Sequence, residues 1–170
     1  MAVVQNLARV PLAVLQDARR SADALAAVCS FDALPRTDYA DLNWWPVLLE
    51  RAWRLLGHDL PADRAFRGDD TEVNPDFRGH RDTVFDHPVV SLEPDAVARV
   101  AGELAAITPA AVRALVPAER SAAVALLGTL AAEFDLDFDL AGELAEQHRV
   151  TRDFYAGAAE RGLAVVLWWD

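Results

Sequence analysis

The sequence predicts an α+β fold: one predominantly helical domain over residues 1–170, with a small sheet formed partly by strands from the N- and C-terminal ends. Three observations carry this. Apolar residues recur at spacings of three and four over several stretches, the mark of helices with one buried face. Pro, or a capping Ser or Thr, stands where most of those stretches begin. The final run LAVVLWW is rich in β-branched and aromatic residues and reads as a buried strand. A chain of 170 residues is one domain's length and can bury roughly 70% of its extended surface.

In chain order, Val3, Val4 and Leu7 mark a first strand, and Pro11 sets a φ suited to the opening turn of a helix. Leu12, Leu15, Ala18, Ala22, Leu25 and Cys29 follow on one face, with Ser21 placed to cap a second segment. DLNWWPVLLERAWRLLG reads as a helix entered through a capping Asp or Asn, with Pro46 in its first turn and Gly57 at its end. Its buried stripe runs from Trp45 to Leu56 and leaves Trp44 and Trp53 toward the flanks. Residues 58–88 break the pattern, with few apolar residues and many charges, and are expected to be a long polar loop.

HPVVSL is expected to form a short strand before Pro94 opens a helix faced by Val97, Val100, Ala101, Leu104 and Ile107. Thr108–Pro109 opens a short helix to Val116, and another is expected over residues 118–134. A last helix over 140–161 closes at Gly162 before the terminal strand. In that strand Trp168 and Trp169 alternate faces, so at most one enters the core.

The strand leading into RVPLAVLQDARRS, the Trp-containing helix after Asp41, VVSLEPDAVARVAGELAAI and the ending RDFYAGAAERGLAVVLWW together resemble the YfbM-like family, small bacterial proteins of unknown function. The resemblance implies an α+β fold with helices around a small sheet that uses both ends of the chain. It brings no catalytic residues.

Charge excludes more than it assigns. Net charge is −11, from 16 basic and 27 acidic residues, which speaks against nucleic acid or an anionic membrane as partner. Every basic residue is Arg. Without Lys there is no pyridoxal Schiff base, Walker-A loop or Ser–Lys dyad. A single Cys29 excludes an internal disulfide, no run approaches a membrane span, and the N-terminus does not read as a signal peptide, so a cytoplasmic location is expected.

Two readings of function follow. In GHRDTVFDHP, His80, Asp82, Asp86 and His87 offer the imidazole and carboxylate ligands that suit a divalent metal such as Zn or Mn, and with it a metal-assisted hydrolase. The plainer reading of that stretch is a solvated acidic loop. Asp135, Asp137 and Asp139 mimic the first positions of a calcium loop, but Leu140 stands where Gly is needed. No nucleophile motif is present, and His58 and His148 have no sequence-local partner. The favoured reading is therefore a non-enzymatic protein-interaction module of immunity or regulatory type, without cofactor, binding a basic protein partner. Trp44, Trp53 and Trp169 are its candidate contact residues. Monomer and homodimer both remain open.

Overall fold

The computed structural model describes residues 4–69, 72–81, 83, 87–134 and 138–170. Among these, four strands form an antiparallel sheet in the order β2-β1-β4-β3, with β1 at Gln5–Val10, β2 at Tyr39–Asp41, β3 at Val90–Leu92 and β4 at Ala164–Trp169. The first and last strands are thus adjacent at the sheet's centre, in a register that sets Leu7 opposite Leu167 and Asn6 opposite Trp168. β3 pairs with β4 through Val90 and Leu167.

Both faces of this sheet are covered, so its side chains divide by the pleat into two cores. Leu7, Val165 and Leu167 face one, packed under α3 (Trp45–Leu55), α5 (Pro94–Ala106), α6 (Pro109–Leu115) and α8 (Leu140–Glu160). Ala8, Val10, Ala164, Val166 and Trp168 face the other, under α1 (Leu12–Arg20) and α2 (Ala22–Cys29). The α+β class and the presence of both terminal strands in a small sheet agree with the sequence reading. Trp168 is buried and Trp169 half-buried, as the alternation requires.

Local signals act where they were read. Ser21 Oγ accepts from the Ala24 N–H and Thr108 Oγ1 from the Ala111 N–H. Other expectations need correction. The stretch 118–134 is not one helix: α7 (Arg120–Leu127) stops at Gly128, whose φ of 100° lies in the left-handed region, and a 3-10 turn follows at Thr129–Glu133. Asp41 does not cap α3. It ends β2, and its carboxylate accepts from the Asn43 N–H, while Asn43 takes φ 51° and turns the chain into the helix.

The polar stretch 58–88 is largely ordered where it is described. It holds α4 (Asp59–Arg64) and a 3-10 turn at Pro75–Gly79, with Val73 and Phe77 buried in the α1/α2 core. Two hydrogen bonds, Asp69 N–H to Ser91 O and Val73 N–H to Val89 O, lace it to the exposed edge of β3.

Three buried polar side chains share one task. The last carbonyls of a helix have no partner within it, and here long-range donors supply one. His148 Nε2 lies 2.9 Å from the Ile107 carbonyl after α5, Tyr155 Oη donates to Ala65 O after α4, and Asn74 Nδ2 donates to Ala18 O in the last turn of α1.

One buried acid staples three elements. Asp38, with its side chain 7% exposed, takes Arg161 Nη2 at 3.1 Å from beyond α8 and Arg9 Nε at 3.2 Å from β1. Arg9 in turn lies over the Phe154 ring. The Arg161 hydrogen bonds hold the Asp38 carboxyl below its ordinary 3.8. A carboxyl lowered on folding stabilises the fold above its unfolded pKa and loses that contribution as pH falls through the folded value. Asp38→Asn is expected to cost about 1–3 kcal/mol at pH 7. Urea titrations should show the gap between variant and wild type closing below about pH 4; an unchanged gap down to pH 3 would contradict the staple.

Candidate functional site

The strongest surface feature is aromatic. Trp45 is 8% exposed and anchors a cluster in which Trp44 stacks on it at 5.3 Å between ring centroids. Phe134 packs 4.9 Å from Trp44 and 5.2 Å from Trp45, and Phe138 stacks on Phe134 at 4.8 Å. Trp44 and Phe134 are half-buried and Phe138 is 40% exposed, so a buried ring supports three that reach solvent. The turn at Asn43 and the break at Gly128 bring these two segments, far apart in sequence, onto one surface.

Acids stand next to these rings in the chain. Asp41, Glu133 and Asp139 are exposed, and Asp139 shares a cavity wall with Phe134 and Phe138. Asp139 also caps α8, accepting from the Gly142 N–H at 2.9 Å, and meets Arg113 Nη2 at 3.0 Å. That backbone hydrogen bond, with Arg113 behind it, keeps the carboxyl below its usual range and charged. Beside the rings lies a cavity of about 150 Å³ lined by Val116, Ala123, Leu140 and both phenylalanines, with Arg120 at its margin.

Of the aromatics singled out in the sequence, Trp44 therefore sits in this patch. Trp53 does not. It is fully buried, and its Nε1–H donates to His148 Nδ1 at 3.1 Å. Its flank of α3 is covered by α8, which the helical wheel of α3 alone does not show. Trp53 is thus a core residue that cannot touch a partner, and His148 is fully enclosed beside it. Burial pushes the His148 pKa below 6.5, and with Nδ1 accepting, Nε2 carries the proton given to Ile107 O.

The histidines proposed as metal ligands take different surroundings. His80 Nε2 lies 2.9 Å from Asp23 Oδ1 at the start of α2, and its ring stacks on Phe77. His87 lines a separate cavity with Cys29 and Trp169. Asp82 and Asp86 lie outside the described residues, among which no three His, Cys, Asp or Glu side chains converge as a metal site. Of the calcium-loop mimic, Asp135 and Asp137 also lie outside them, and Glu146, which stands at the twelfth position of such a loop, pairs with Arg149.

Cys29 is partly buried, and that burial, with Asp170 nearby, pushes its thiol well above the ordinary range. It is held as a neutral thiol. That is the opposite of what a nucleophilic cysteine needs.

Compared with protein-family models, with curated proteins and with solved structures, the chain matches none. Among the described residues no helix is long and apolar enough to cross a membrane. Sequence reasoning missed Phe134 and Phe138 as members of the aromatic cluster. The signal was present in EFDLDFD, where acids alternate with rings, but an extended connector with its rings turned inward accounts for the same letters.

Proposed function

We propose that the protein is a non-enzymatic interaction module of regulatory or immunity type, and that Trp44, Phe134 and Phe138 form the centre of the surface that holds a basic protein partner. Kinship with the YfbM-like proteins belongs to the same proposal and rests on the segments quoted above. The observation that carries the reading is the supported aromatic patch, with the exposed Asp139 beside it and the exposed Asp41 and Glu133 next to its rings in the chain. Interface energy concentrates in rings held rigid by the layer beneath them, and acids around such a centre speed encounter with a basic surface while repelling nucleic acid.

The test compares wild type with the Trp44→Ser/Phe138→Ser variant, both checked for an unchanged melting profile, as baits in lysate of the source cells. A basic protein is expected on wild type at low salt, weakened at high salt as charges are screened. The variant should lose at least about 30-fold in affinity for it, the equivalent of roughly 2 kcal/mol. Equal capture by both baits, capture of nothing at any ionic strength, or a micromolar gel shift with duplex DNA would refute the proposal.

A further inference from the structure

The fold holds one of its own guanidinium groups between a ring and a carboxylate. Arg9 lies 4.9 Å from the centroid of Phe154, and its Nε is 3.2 Å from Asp38 Oδ1. A planar, weakly hydrated cation can do both at once, laying its face on a ring and turning its N–H fork to an acid.

The surface patch offers the same two parts. Trp44, Phe134 and Phe138 reach solvent above the buried Trp45. Among the described residues the guanidinium–ring contacts are at Phe154 and Phe31, and none is at these three rings. Each phenylalanine stands between two acids in the chain, Phe134 between Glu133 and Asp135, and Phe138 between Asp137 and Asp139. Consecutive Cα atoms are about 3.8 Å apart. The exposed Glu133 and Asp139 therefore hold their charge within roughly a Debye length, ~10 Å, of the rings they adjoin.

Two cations stand against these acids. Arg113 is spent on Asp139, and Arg120, at the margin of the adjoining cavity, donates to Ala132 O. Asp139 takes the Gly142 N–H on Oδ1 and Arg113 on Oδ2. A carboxylate has about four acceptor sites, so it has room for a further donor.

We propose that Trp44 and Phe138 receive arginine side chains of the partner, each guanidinium stacked on a ring, with the one on Phe138 turning its N–H groups to Asp139. This rests on the reading of the patch as the site for a basic protein and adds a specificity to it: lysine does not replace arginine. An ammonium has the same charge, but it is a compact, strongly hydrated point that gives up more hydration to lie on a ring. A second copy of the chain is a poor occupant, because each copy carries a net charge of −11.

The test uses capped peptides of three Gly-Arg repeats and their lysine and citrulline counterparts, titrated into the full chain. In ¹⁵N–¹H spectra the arginine peptide is expected to move the indole resonance that is missing in Trp44→Phe. By anisotropy of dye-labelled peptides it should bind at least about fivefold more tightly than the lysine peptide at equal charge. The citrulline peptide, which keeps the shape and loses the charge, should bind at least about tenfold more weakly than the arginine one. Asp139→Asn keeps a residue that caps α8 and should weaken the arginine peptide about threefold or more. The Trp44→Ser/Phe138→Ser variant should bind the arginine and lysine peptides equally. Equal affinity for the two peptides on wild type, an arginine preference undiminished in the double variant, or no movement at millimolar peptide would overturn the assignment. So would a larger movement with acetyl-leucine amide, which would place an apolar side chain in the cavity, or movement on dilution without peptide, which would place a second copy on the patch. Should wild type alone still capture a basic protein from lysate while binding arginine and lysine peptides equally, the interaction surface stands and only the arginine specificity falls.

Discussion

Deleting Val165–Asp170 is expected to leave a chain with no cooperative thermal transition. The segment is the strand that joins the others: β4 pairs with β1 along Gln5–Val10 on one side and with β3 on the other. Its pleat sends Val165 and Leu167 into one core and Val166 and Trp168 into the second, all at or near zero exposure. Losing one large buried side chain costs about 2–5 kcal/mol. Domains of this kind are stable by about 5–15 kcal/mol in total. Four such losses, together with two broken ladders, exceed that margin, and the severed β1 and β3 edges would favour aggregation. Circular dichroism and calorimetry on the shortened chain decide it. A melting temperature within a few degrees of the full chain would mean that β4 is not a structural member of the sheet.

How much of this architecture could be read from the letters depends on where each element finds its reason. α5, α6 and α8 carry their own: an apolar face at regular spacing, a Pro, Thr or Asp at the head, and Gly162 after the last turn of α8. The C-terminal strand was legible because AVVLWW is a short apolar run that needs shelter on two faces, whereas β1, QNLARV, showed itself only through Leu7 and its place before Pro11. The 58–88 stretch was not, because its order is borrowed. Val73 and Phe77 are isolated apolar residues with no period, and what fixes them is the β3 edge and the Asn74 bond to α1. β2, three residues long, has no pattern to show and exists because Tyr39–Asp41 finds the free edge of β1. Trp53 was misplaced for a related reason: a wheel drawn for α3 knows nothing of α8 lying across its flank. The aromatic patch was half legible, through Trp44. The cavity shared by Cys29, His87 and Trp169 was not legible at all, since no local pattern links those three residues.

The buried Trp53–His148–Ile107 chain is expected to make the protein sensitive to mild acid. His148 accepts from Trp53 and donates to Ile107, so its proton is on Nε2 and both nitrogens are satisfied only while the ring is neutral. Protonating Nδ1 would set its new N–H against the indole N–H in a site with no access to water. Burial is the principal reason the folded pKa lies below 6.5; the hydrogen bond to the Ile107 carbonyl opposes it, as does Asp153, while Arg152 and His58 push the same way as burial. The sign then follows. The unfolded chain takes up this proton near pH 6.5 and the folded chain does not, so stability is fully present above that pH and declines as pH falls toward the folded pKa, by up to about 1.4 kcal/mol per pH unit. Trp53→Ala should cost about 3–5 kcal/mol at pH 8, from cavity and lost donor together. His148→Gln is the sharper probe, because an amide can accept from the indole and donate to the carbonyl yet does not titrate. It should be less stable than wild type by about 1–2 kcal/mol at pH 8, with that gap closing by pH 5 in urea titrations. A variant that loses stability between pH 7 and 5 as steeply as wild type would place the acid sensitivity elsewhere and leave His148 with packing alone.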